Sequence, residues 1–185
     1  KVFWRNHEFR LYALLFLGIS AVIAADLATS GLADSAGEAI RHSTFQVAAI
    51  MTTTGFGTAD FEQWSAVSKM LLLTLFFTGG CGGSTAGGMK LIRFLIIIKV
   101  LVHEMRLAFR PSLVAPVRVG DTVVPEGVVR GTMAYALIFV ATVGLSAVTI
   151  AVLDPIDMTT AIMASLACVA NVGPGLGAVG PTDNY

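Results

Sequence analysis

GGCGGSTAGGMK, residues 79–90, interrupts an apolar stretch that begins near Trp64 and resumes as far as Val102. Six glycines fall within residues 79–88, and each costs a helix about 1 kcal/mol relative to alanine. The halves, residues 64–78 and 89–102, are both shorter than the roughly 20 residues that cross a hydrocarbon core. Irregular backbone at membrane depth is tolerated only where it is buried in protein or lines a water-filled cavity. The sequence therefore predicts one membrane helix, broken beside a polar pathway.

These glycines allow two interpretations other than a break. The spacing Gly79–Gly83–Gly87 fits small-xxx-small helix association, which explains a few glycines but not six in ten residues. A phosphate-binding loop needs Gly-Lys-Ser/Thr in sequence after a strand, whereas this chain has Gly88-Met-Lys90 and no strand pattern before it. We exclude the phosphate site and keep helix association as an alternative.

The composition is that of a membrane protein. Hydrophobic residues make up 55% of the chain, charged residues 13%, and the mean hydropathy is +0.79. A soluble domain carries about 25% charged residues, so this chain cannot cover a water-facing surface. Net charge is zero, which argues against nucleic-acid binding, because that requires a clustered basic surface. Cys81 and Cys168 lie far apart without CxxC or histidine partners, and we interpret them as small buried hydrophobes.

The rest of the chain alternates long apolar stretches with short capped helices. Residues 11–25, extendable to 29, and residues 128–153 have the length and composition to span a membrane. Ser35 and Glu38 form a capping box that starts a short helix over residues 36–52. Asp154 and Pro155, as N-cap and first helical residue, are expected to open a second short helix that runs to about Val169. Residues 103–126 are predicted to form a polar connecting loop.

The same order of elements occurs twice, at residues 11–58 and 128–177: a spanning helix, a polar link, a capped short helix and a glycine-containing stop. The predicted fold class is an all-α polytopic membrane protein built of helix–re-entrant pore loop–helix repeats, with the second helix broken by a glycine-rich loop. Residues 1–126 would form one complete repeat plus a linker, and residues 127–185 a second repeat that stops after its pore loop. We expect a piece of a longer protein, since the chain starts at Lys1 and stops at Tyr185, where a further helix is due.

Charged residues are segregated along the chain in a way that predicts an orientation. If the short helices are re-entrant, acidic residues fall on one side and basic residues on the other. The positive-inside rule makes the basic side cytoplasmic, with Lys69 as an exception. The basic set is Lys1, Arg5, Arg10, Lys99, Arg106, Arg110 and Arg118, and the acidic set is Asp26, Asp34, Asp60, Glu62, Asp154 and Asp157.

The stops after the two short helices have the properties of a cation filter. A pore replaces the hydration shell of a monovalent cation with oxygen ligands, and backbone carbonyls along an extended strand can supply them. Glycine permits the unusual φ values, and the partly negative end of a short helix favours the cation. Either segment alone fits a helix C-cap turn equally well, but matching copies favour a filter. The candidate residues are Thr53, Thr54, Gly55, Phe56 and Gly57 in the first copy and Asn171, Val172, Gly173, Pro174 and Gly175 in the second.

Three segments carry a resemblance to a known family: TTTGFG at 52–57, the run at 79–90 and ANVGPG at 170–175. The chain resembles the Trk/Ktr/HKT superfamily of potassium transporters, most closely its bacterial TrkH-type subunits, which have four potassium-channel-like repeats around one pore. The resemblance makes Gly55 and Gly173 filter glycines, with potassium bound at Thr54, Gly55, Val172 and Gly173. The run at 79–90 matches an intramembrane loop that gates the filter, with the residues Gly79, Gly80, Gly82, Gly83, Ser84, Thr85, Gly87, Gly88 and Lys90.

The resemblance implies potassium uptake by a multi-pass protein of the inner (plasma) membrane, with potassium as substrate and no cofactor in this chain. The implied partners are membrane lipid, the remaining repeats of the same protein, a second copy in a homodimer and a cytoplasmic nucleotide-binding regulatory subunit. The chain would match the third repeat and the start of the fourth. Two repeats and a last helix with a pore-facing basic residue would then be missing, so we expect no pore from this chain alone.

Two other classes of function stay open. A membrane-embedded enzyme would need converging acids, bases or metal ligands, and no HExxH, GxSxG or paired intramembrane carboxylates occur. We therefore expect no enzyme. A non-conducting structural subunit would explain the helices but not two capped re-entrant loops.

Several side chains near these segments carry smaller expectations. His42 and Gln46 should hydrogen-bond their neighbours, and Phe56 should pack behind the filter strand. The hydroxyls of Ser84 and Thr85 would hold the glycine-rich loop at the pore axis. Lys90 would face the inner cavity as a barrier to cations or snorkel to the cytoplasmic interface, as is expected more strongly of Arg93.

Overall fold

A computed structural model describes residues 6–110, 116–120 and 122–182. The predicted mostly helical fold is confirmed: the described residues form α1 (His7–Ser30), α2 (Ala36–Met51), α3 (Ala66–Thr78), α4 (Leu91–Phe109), α5 (Glu126–Leu153) and α6 (Met158–Val169). An antiparallel ribbon between α4 and α5 pairs β1 (Arg118–Val119) with β2 (Thr122–Val123). The term all-α is wrong at this ribbon, because two-residue strands have no periodicity to detect. Lys1, Arg5, Pro111 and Tyr185 lie outside the described residues.

Helix lengths divide the helices into two classes. α1 and α5 have 24 and 28 residues and reach about 36 and 42 Å at 1.5 Å per residue, enough to cross a ~30 Å core. α2 and α6 have 16 and 12 residues and reach only about 24 and 18 Å. Neither short helix is long enough to span.

The long apolar helices are mostly exposed, which is the reverse of the pattern in water-soluble proteins. The apolar windows of the long helices α1 and α5 are only 17% and 11% buried, and Leu137 and Leu145 of α5 are 73% and 72% exposed. The short helices are instead buried, with seven of the twelve residues of α6 in the interior. A water-soluble protein that exposed such a surface would aggregate. The long helices therefore present the surface that hydrocarbon would cover.

The helix starts follow local capping rules, with one correction. The Ser35 hydroxyl accepts from the Glu38 N–H at 3.2 Å, and the Glu38 carboxylate accepts from the Asp34 N–H at 3.0 Å, so the predicted capping box is confirmed. The expected cap at Asp154 is wrong, because α5 continues to Leu153 and the Asp154 N–H bonds back to it through Ile150. Asp157 caps α6 instead, accepting from the Thr160 N–H at 3.1 Å.

The predicted break lies between α3 and α4, but α4 ends later than the sequence predicts. α3 stops at Thr78 and α4 starts at Leu91, so residues 79–90 are not helical. The small-xxx-small alternative is therefore wrong for this run, because its glycines share no helix face. α4 also continues through His103 to Phe109, so the loop predicted from residue 103 starts later. Exposed polar residues such as Glu104 and Arg106 favour a helix once it leaves the apolar layer.

A carboxylate ties the long helix α1 to the start of α3. Asp26 of α1 accepts from the hydroxyls of Ser65 and Ser68, both at 2.5 Å. Ser65 also caps α3 through the Ser68 N–H. Because Asp26 holds the residue that starts α3, the position of α3, and of the glycine-rich run that follows it, is set relative to α1.

Candidate functional site

Both short helices end in the same hydrogen-bond pattern. After α2, Thr53 has φ +54° and its N–H donates to Ile50 O at 3.1 Å, while the Thr54 N–H donates to Ala49 O at 2.9 Å. After α6, Asn171 has φ +57°, and the N–H groups of Asn171 and Val172 make the corresponding bonds, at 3.1 and 2.9 Å, to Cys168 O and Ala167 O. These are two Schellman ends. The two short helices, which the sequence pairs as copies, therefore end with the same pair of backbone hydrogen bonds.

The two segments that follow these ends touch each other at their glycines. Gly55 has φ +72° and Gly173 has φ +110°, values that side chains with a Cβ rarely adopt. A Cβ added at Gly55 would collide with the Val172 carbonyl oxygen, and one added at Gly173 would lie 3.5 Å from the Gly55 Cα. The structure thus brings the two candidate filter segments together, with the backbones in contact where both lack side chains.

Side chains of α2 form hydrogen bonds with the residues that follow the first candidate segment. Gln46 Nε2 donates to Ala59 O at 3.2 Å, and His42 lies 3.4 Å from the Thr58 hydroxyl and 3.4 Å from Glu38. The expected neighbour bonds of His42 and Gln46 are therefore confirmed. Gly57 packs against Pro181, with an added Cβ 3.1 Å from the proline Cβ, so this segment is also backed by the end of the second copy.

Glu62 joins the second segment to the first repeat. Its carboxylate accepts from the Gly177 N–H at 3.1 Å, and the Lys69 amine donates to the Glu62 carbonyl at 3.0 Å. The Lys69 amine also lies 3.8 Å from a carboxylate oxygen of Glu62, so Lys69, the exception in the charge pattern, has an acidic partner. Gly175 is enclosed, because its N–H donates to Val179 O at 2.6 Å and an added Cβ would lie 3.2 Å from the Met163 Cβ.

Phe56 departs from its predicted position. Its side chain is 70% exposed, so the expectation that it packs behind the filter strand is wrong within this chain. The space behind the strand is filled instead by α2 residues such as Gln46, which is 1% exposed. The neighbouring Pro174 is partly buried and lies beside Gly55, with its Cδ 3.2 Å from an added Cβ there.

The glycine-rich run is an ordered loop with its own hydrogen bonds. The Leu91 N–H donates to Gly80 O at 3.0 Å, closing the loop at its base, and the Ser84 hydroxyl donates to Cys81 O at 2.7 Å. The Lys90 amine donates to Ser84 O at 2.7 Å and to the Ala86 carbonyl. The hydroxyl of Ser84 therefore stabilises the loop internally, rather than holding it to a pore axis as expected, and Thr85 is exposed.

This loop lies against both candidate filter segments at Gly87. The Gly87 N–H donates to the Thr53 hydroxyl at 2.8 Å. A Cβ added at Gly87 would collide with the Ala170 carbonyl oxygen and lie 2.7 Å from the Asn171 Cβ. One glycine thus contacts the end of α2 and the end of α6, and only a residue without a side chain fits there.

The cations beside the loop are both engaged by this chain. Lys90 turns its amine back onto the loop carbonyls, so it neither snorkels to the interface nor projects freely into a cavity. The Arg93 guanidinium lies 4.1 Å from the centroid of the Tyr135 ring, a cation–π contact, and the Tyr135 hydroxyl donates to Gly88 O at 3.4 Å. Arg93 and Tyr135 therefore join the start of α4 to α5.

Two carboxyl groups have lowered pKa values, and both cap a short helix at the end away from the candidate filter. The Asp34 N–H, and then the His42 side chain, hold the pKa of the Glu38 carboxyl below its usual range. The hydroxyl of Thr160, and then its N–H, lower the pKa of Asp157. Hydrogen bonds to the ionised form explain both directions. Neither group touches the segments around Gly55 and Gly173, so these carboxylates orient helices rather than bind the cation.

Metal and disulfide chemistry find little support in the described ranges. No group of three or more His, Cys, Asp and Glu side chains there could hold a metal ion. Cys81 and Cys168 are free thiols. Cys168 is exposed on α6 and Cys81 is only half-buried, so the expectation of two buried cysteines is wrong.

Three carboxylates make hydrogen bonds to distant parts of the chain that the sequence does not predict: Glu8, Asp26 and Glu62. Glu8 accepts from the Gly82 N–H at 2.6 Å across 74 residues, and Glu62 accepts from the Gly177 N–H across 115. The position of Asp26 inside an apolar helix was a signal for it. No local pattern pointed to the contacts of the other two, because their partners are backbone groups far along the chain.

Comparison with known proteins shows what this chain is similar to. Residues 2–183 match the family model TrkH, described as a cation transport protein. The Trk system potassium uptake protein TrkH of Salmonella typhimurium is 33% identical over 189 residues, which cover 100% of this chain and 38% of that protein. TrkI of Halomonas elongata, also a Trk system potassium uptake protein, is 33% identical over 177 residues, covering 95% of this chain and 36% of that protein.

A solved structure agrees with these relatives. The crystal structure of the potassium transporter TrkH from Vibrio parahaemolyticus is similar to this chain with a TM-score of 0.86 and 31% sequence identity. The similarity covers 96% of this chain and 38% of that one. The chain spans less than two fifths of the length of the proteins that it resembles.

Proposed function

The chain belongs to the TrkH family of cation transport proteins, and from this we propose that it supplies two of the filter segments of a potassium uptake protein. The observation that carries the proposal is the contact between two matched segments, each at the end of a buried short helix, around Gly55 and Gly173. The family is one of transporters rather than enzymes, and the capping carboxylates lie at the far ends of the short helices.

The proposed filter works through backbone oxygens. The carbonyls of Thr54, Gly55, Val172 and Gly173 would bind potassium, with the rest of residues 53–57 and 171–175 shaping the path. The C-terminal ends of α2 and α6 carry partial negative charge and both lead into this region, which favours a cation that has lost part of its water. Because carbonyls stripped of side-chain crowding can line the ion closely, we expect potassium to be preferred over sodium.

The proposed gate is the loop of residues 79–90. Its support is the contact of Gly87 with the ends of both short helices, which puts the loop next to the proposed filter. Its small residues permit that approach, and the Lys90 amine holds the loop carbonyls on its other side. Movement of this loop away from Thr53 would open the path on the cytoplasmic side.

The remaining features of the proposal concern the whole protein. Residues 1–126 would be a complete helix–re-entrant loop–helix repeat with its linker, and residues 127–185 the start of the next. Basic residues would face the cytoplasm of a multi-pass inner-membrane protein. Lipid, further repeats of the same protein, a second copy and a cytoplasmic nucleotide-binding subunit are its proposed partners.

Uptake of rubidium and sodium by the full-length protein, in a host that lacks potassium uptake, tests this function. The parent should take up rubidium in preference to sodium. Gly55→Ser should raise the sodium-to-rubidium ratio several-fold or abolish uptake, because the new Cβ meets the Val172 carbonyl and the backbone has φ +72°. Gly144→Ser, on α5 where an added Cβ meets nothing within 4 Å, is the matched control.

Each failure has its own meaning. A folded, membrane-inserted parent without uptake would favour a non-conducting structural subunit. A Gly55→Ser variant with the parent's ratio and rate would remove Gly55 from the filter.

A further inference from the structure

Among the described residues, Glu8 is the charged residue farthest along the chain from the glycine-rich loop that makes a hydrogen bond to it. Its carboxylate accepts from the Gly82 N–H at 2.6 Å, joining residues that lie 74 apart in the chain. An added Cβ at Gly82 would lie 3.5 Å from the same oxygen. Glu8 is half-buried in the first turn of α1, whereas Gly82 lies on the exposed side of the loop. The start of α1 is therefore fastened directly to the loop.

The first turn of α1 is held so that Glu8 points at the loop. The Asn6 side chain caps the helix and accepts from the Glu8 N–H at 2.9 Å. On the neighbouring residue, the His7 ring lies against the turn of the β1–β2 ribbon, where an added Cβ at Gly120 would be 3.0 Å from Nδ1. The backbone of Glu8 is thus fixed by a cap on one side and by the linker ribbon on the other.

A simpler role for Glu8 would be to balance the helix dipole. Acidic residues in the first turn do so commonly, by lying near the free N–H groups of their own helix. Here the carboxylate oxygen is instead committed to an N–H group of another segment, and the Asn6 side chain serves the helix end. The dipole alone does not account for a contact to Gly82.

The loop is held at two internal positions, Gly82 and Gly87, by specific hydrogen bonds. Glu8 holds Gly82, and the Thr53 hydroxyl of the proposed filter holds Gly87 at 2.8 Å. Between them, the Lys90 amine binds the carbonyls of Ser84 and Ala86. The Glu8 carboxylate thus accepts from an N–H group of the loop, and the Lys90 amine donates to two of its carbonyls. These bonds fix the segment between Gly82 and Gly87 against the proposed filter.

We propose that Glu8 is a positioning residue that latches the glycine-rich loop in its closed position beside the filter. The inference rests on the proposed function of the loop as a gate. Loss of the carboxylate removes the anchor at Gly82 while leaving the anchor at Gly87 and the filter backbone in place. The loop should then leave the filter more often, which raises the rate of cation passage and leaves the choice between cations unchanged.

The test compares Glu8→Ala, Glu8→Gln and Glu104→Ala in the full-length protein, with all cysteines but Cys81 replaced. Glutamine keeps an acceptor oxygen without charge, and Glu104 is an exposed acid of α4 that serves as the charge control. Two readouts are used: the maximal rate of rubidium uptake with the rubidium-to-sodium ratio, and the rate at which a membrane-permeant maleimide modifies Cys81, the neighbour of Gly82. The second readout does not depend on transport.

We expect Glu8→Ala to raise both rates roughly three- to tenfold, the fold-change for loss of a typical intramolecular hydrogen bond, with Glu8→Gln in between and Glu104→Ala at the parent value. The uptake ratio should stay constant in all four proteins. Both replacements at Glu8 remove the same charge beside the thiol, so the excess of Glu8→Ala over Glu8→Gln reports release of the loop.

The contrary outcomes are equally distinct. Unchanged or slower Cys81 modification in a folded Glu8→Ala variant would overturn the latch, whatever the transport result. Equal values for the alanine and glutamine variants would also overturn it, because charge alone would then act. Faster modification without any uptake by the parent would instead preserve the latch and reject the proposed transport function.

Discussion

Thr53 and Asn171 are the two non-glycine residues that start the candidate filter segments, and both have a left-handed backbone. Asparagine adopts this conformation readily, whereas a β-branched threonine is a real exception there. The Thr53 hydroxyl accepts from the Gly87 N–H, so the unusual residue is also the one that contacts the loop. Strained backbone of this kind concentrates at functional sites, which fits a role for Thr53 between filter and gate.

At the same scale, the cap of α6 gives a prediction that separates two neighbouring aspartates. Asp157→Ala should lower the Tm of the full-length protein at neutral pH, because the carboxylate accepts from the N–H and hydroxyl of Thr160. Asp154→Ala should have a much smaller effect, since among the described residues Asp154 makes backbone hydrogen bonds only, with Ile150 and Ile156, and an alanine keeps both. Thermal unfolding followed by tryptophan fluorescence measures both variants against the parent.

The pH dependence of this effect follows from the lowered pKa of Asp157. A lowered folded-state pKa means that the ionised cap stabilises the protein above the unfolded value, about 3.9 for aspartate. The contribution is lost as the pH falls through the folded-state pKa. The difference in Tm between the parent and Asp157→Ala should therefore shrink in acid, and a difference that grows in acid would contradict this role.

Whether the contacts of a single residue can be predicted depends on how far away in the sequence its partner lies. The Ser35–Glu38 capping box is a local pattern and is predicted from the sequence. The pair Asp154-Pro155, by contrast, predicts a cap three residues before Asp157, which is the residue that caps α6. The contacts of Glu8 with Gly82 and of Glu62 with Gly177 join segments far apart. They involve backbone N–H groups, which every residue but proline has, so no sequence signal marks them.

At the scale of elements, hydrophobic length predicted the spanning helices, and glycine content predicted the break between α3 and α4. The end of α4 was missed because a helix that leaves the membrane keeps its hydrogen bonds while its side chains turn polar. The β1–β2 ribbon was missed because pairs of two-residue strands are set by a tight turn and not by periodicity. Composition thus locates elements in the apolar layer better than those outside it.

The close approach of the loop gives a prediction at this scale. Gly87→Ala should increase rubidium uptake by the full-length protein and leave its rubidium-to-sodium ratio nearly constant, because the new methyl group collides with the Ala170 carbonyl and displaces the loop. Gly83→Ala is the matched control, since an added Cβ there meets nothing within 4 Å. Uptake rates are normalised to the amount of folded protein in the membrane.

Two results would count against this account of the loop. If a folded Gly87→Ala variant transports no faster than Gly83→Ala, contact with the filter does not restrain transport. If its ratio of rubidium to sodium changes as strongly as in Gly55→Ser, the loop belongs to the filter and is not a separate gate.

At the scale of the whole molecule, the chain buries its short helices and exposes its long ones. That arrangement suits a protein surrounded by hydrocarbon and centred on the ends of α2 and α6. Two segments from matching repeats meet at Gly55 and Gly173, and the repeat recognised in the sequence predicted that both would have one role. The sequence did not show that they touch, because the distance between them depends on how α2 and α6 pack.

We propose that potassium binds beside the two touching segments, at the carbonyl oxygens around Gly55 and Gly173. Anomalous scattering from rubidium, measured on crystals of the full-length protein grown with rubidium in place of potassium, tests it most directly. We expect rubidium density flanked by the carbonyl oxygens of Thr54, Gly55, Val172 and Gly173, and its loss on exchange into sodium. Rubidium density elsewhere along the path, with none beside these carbonyls in a protein that transports rubidium, would contradict the account.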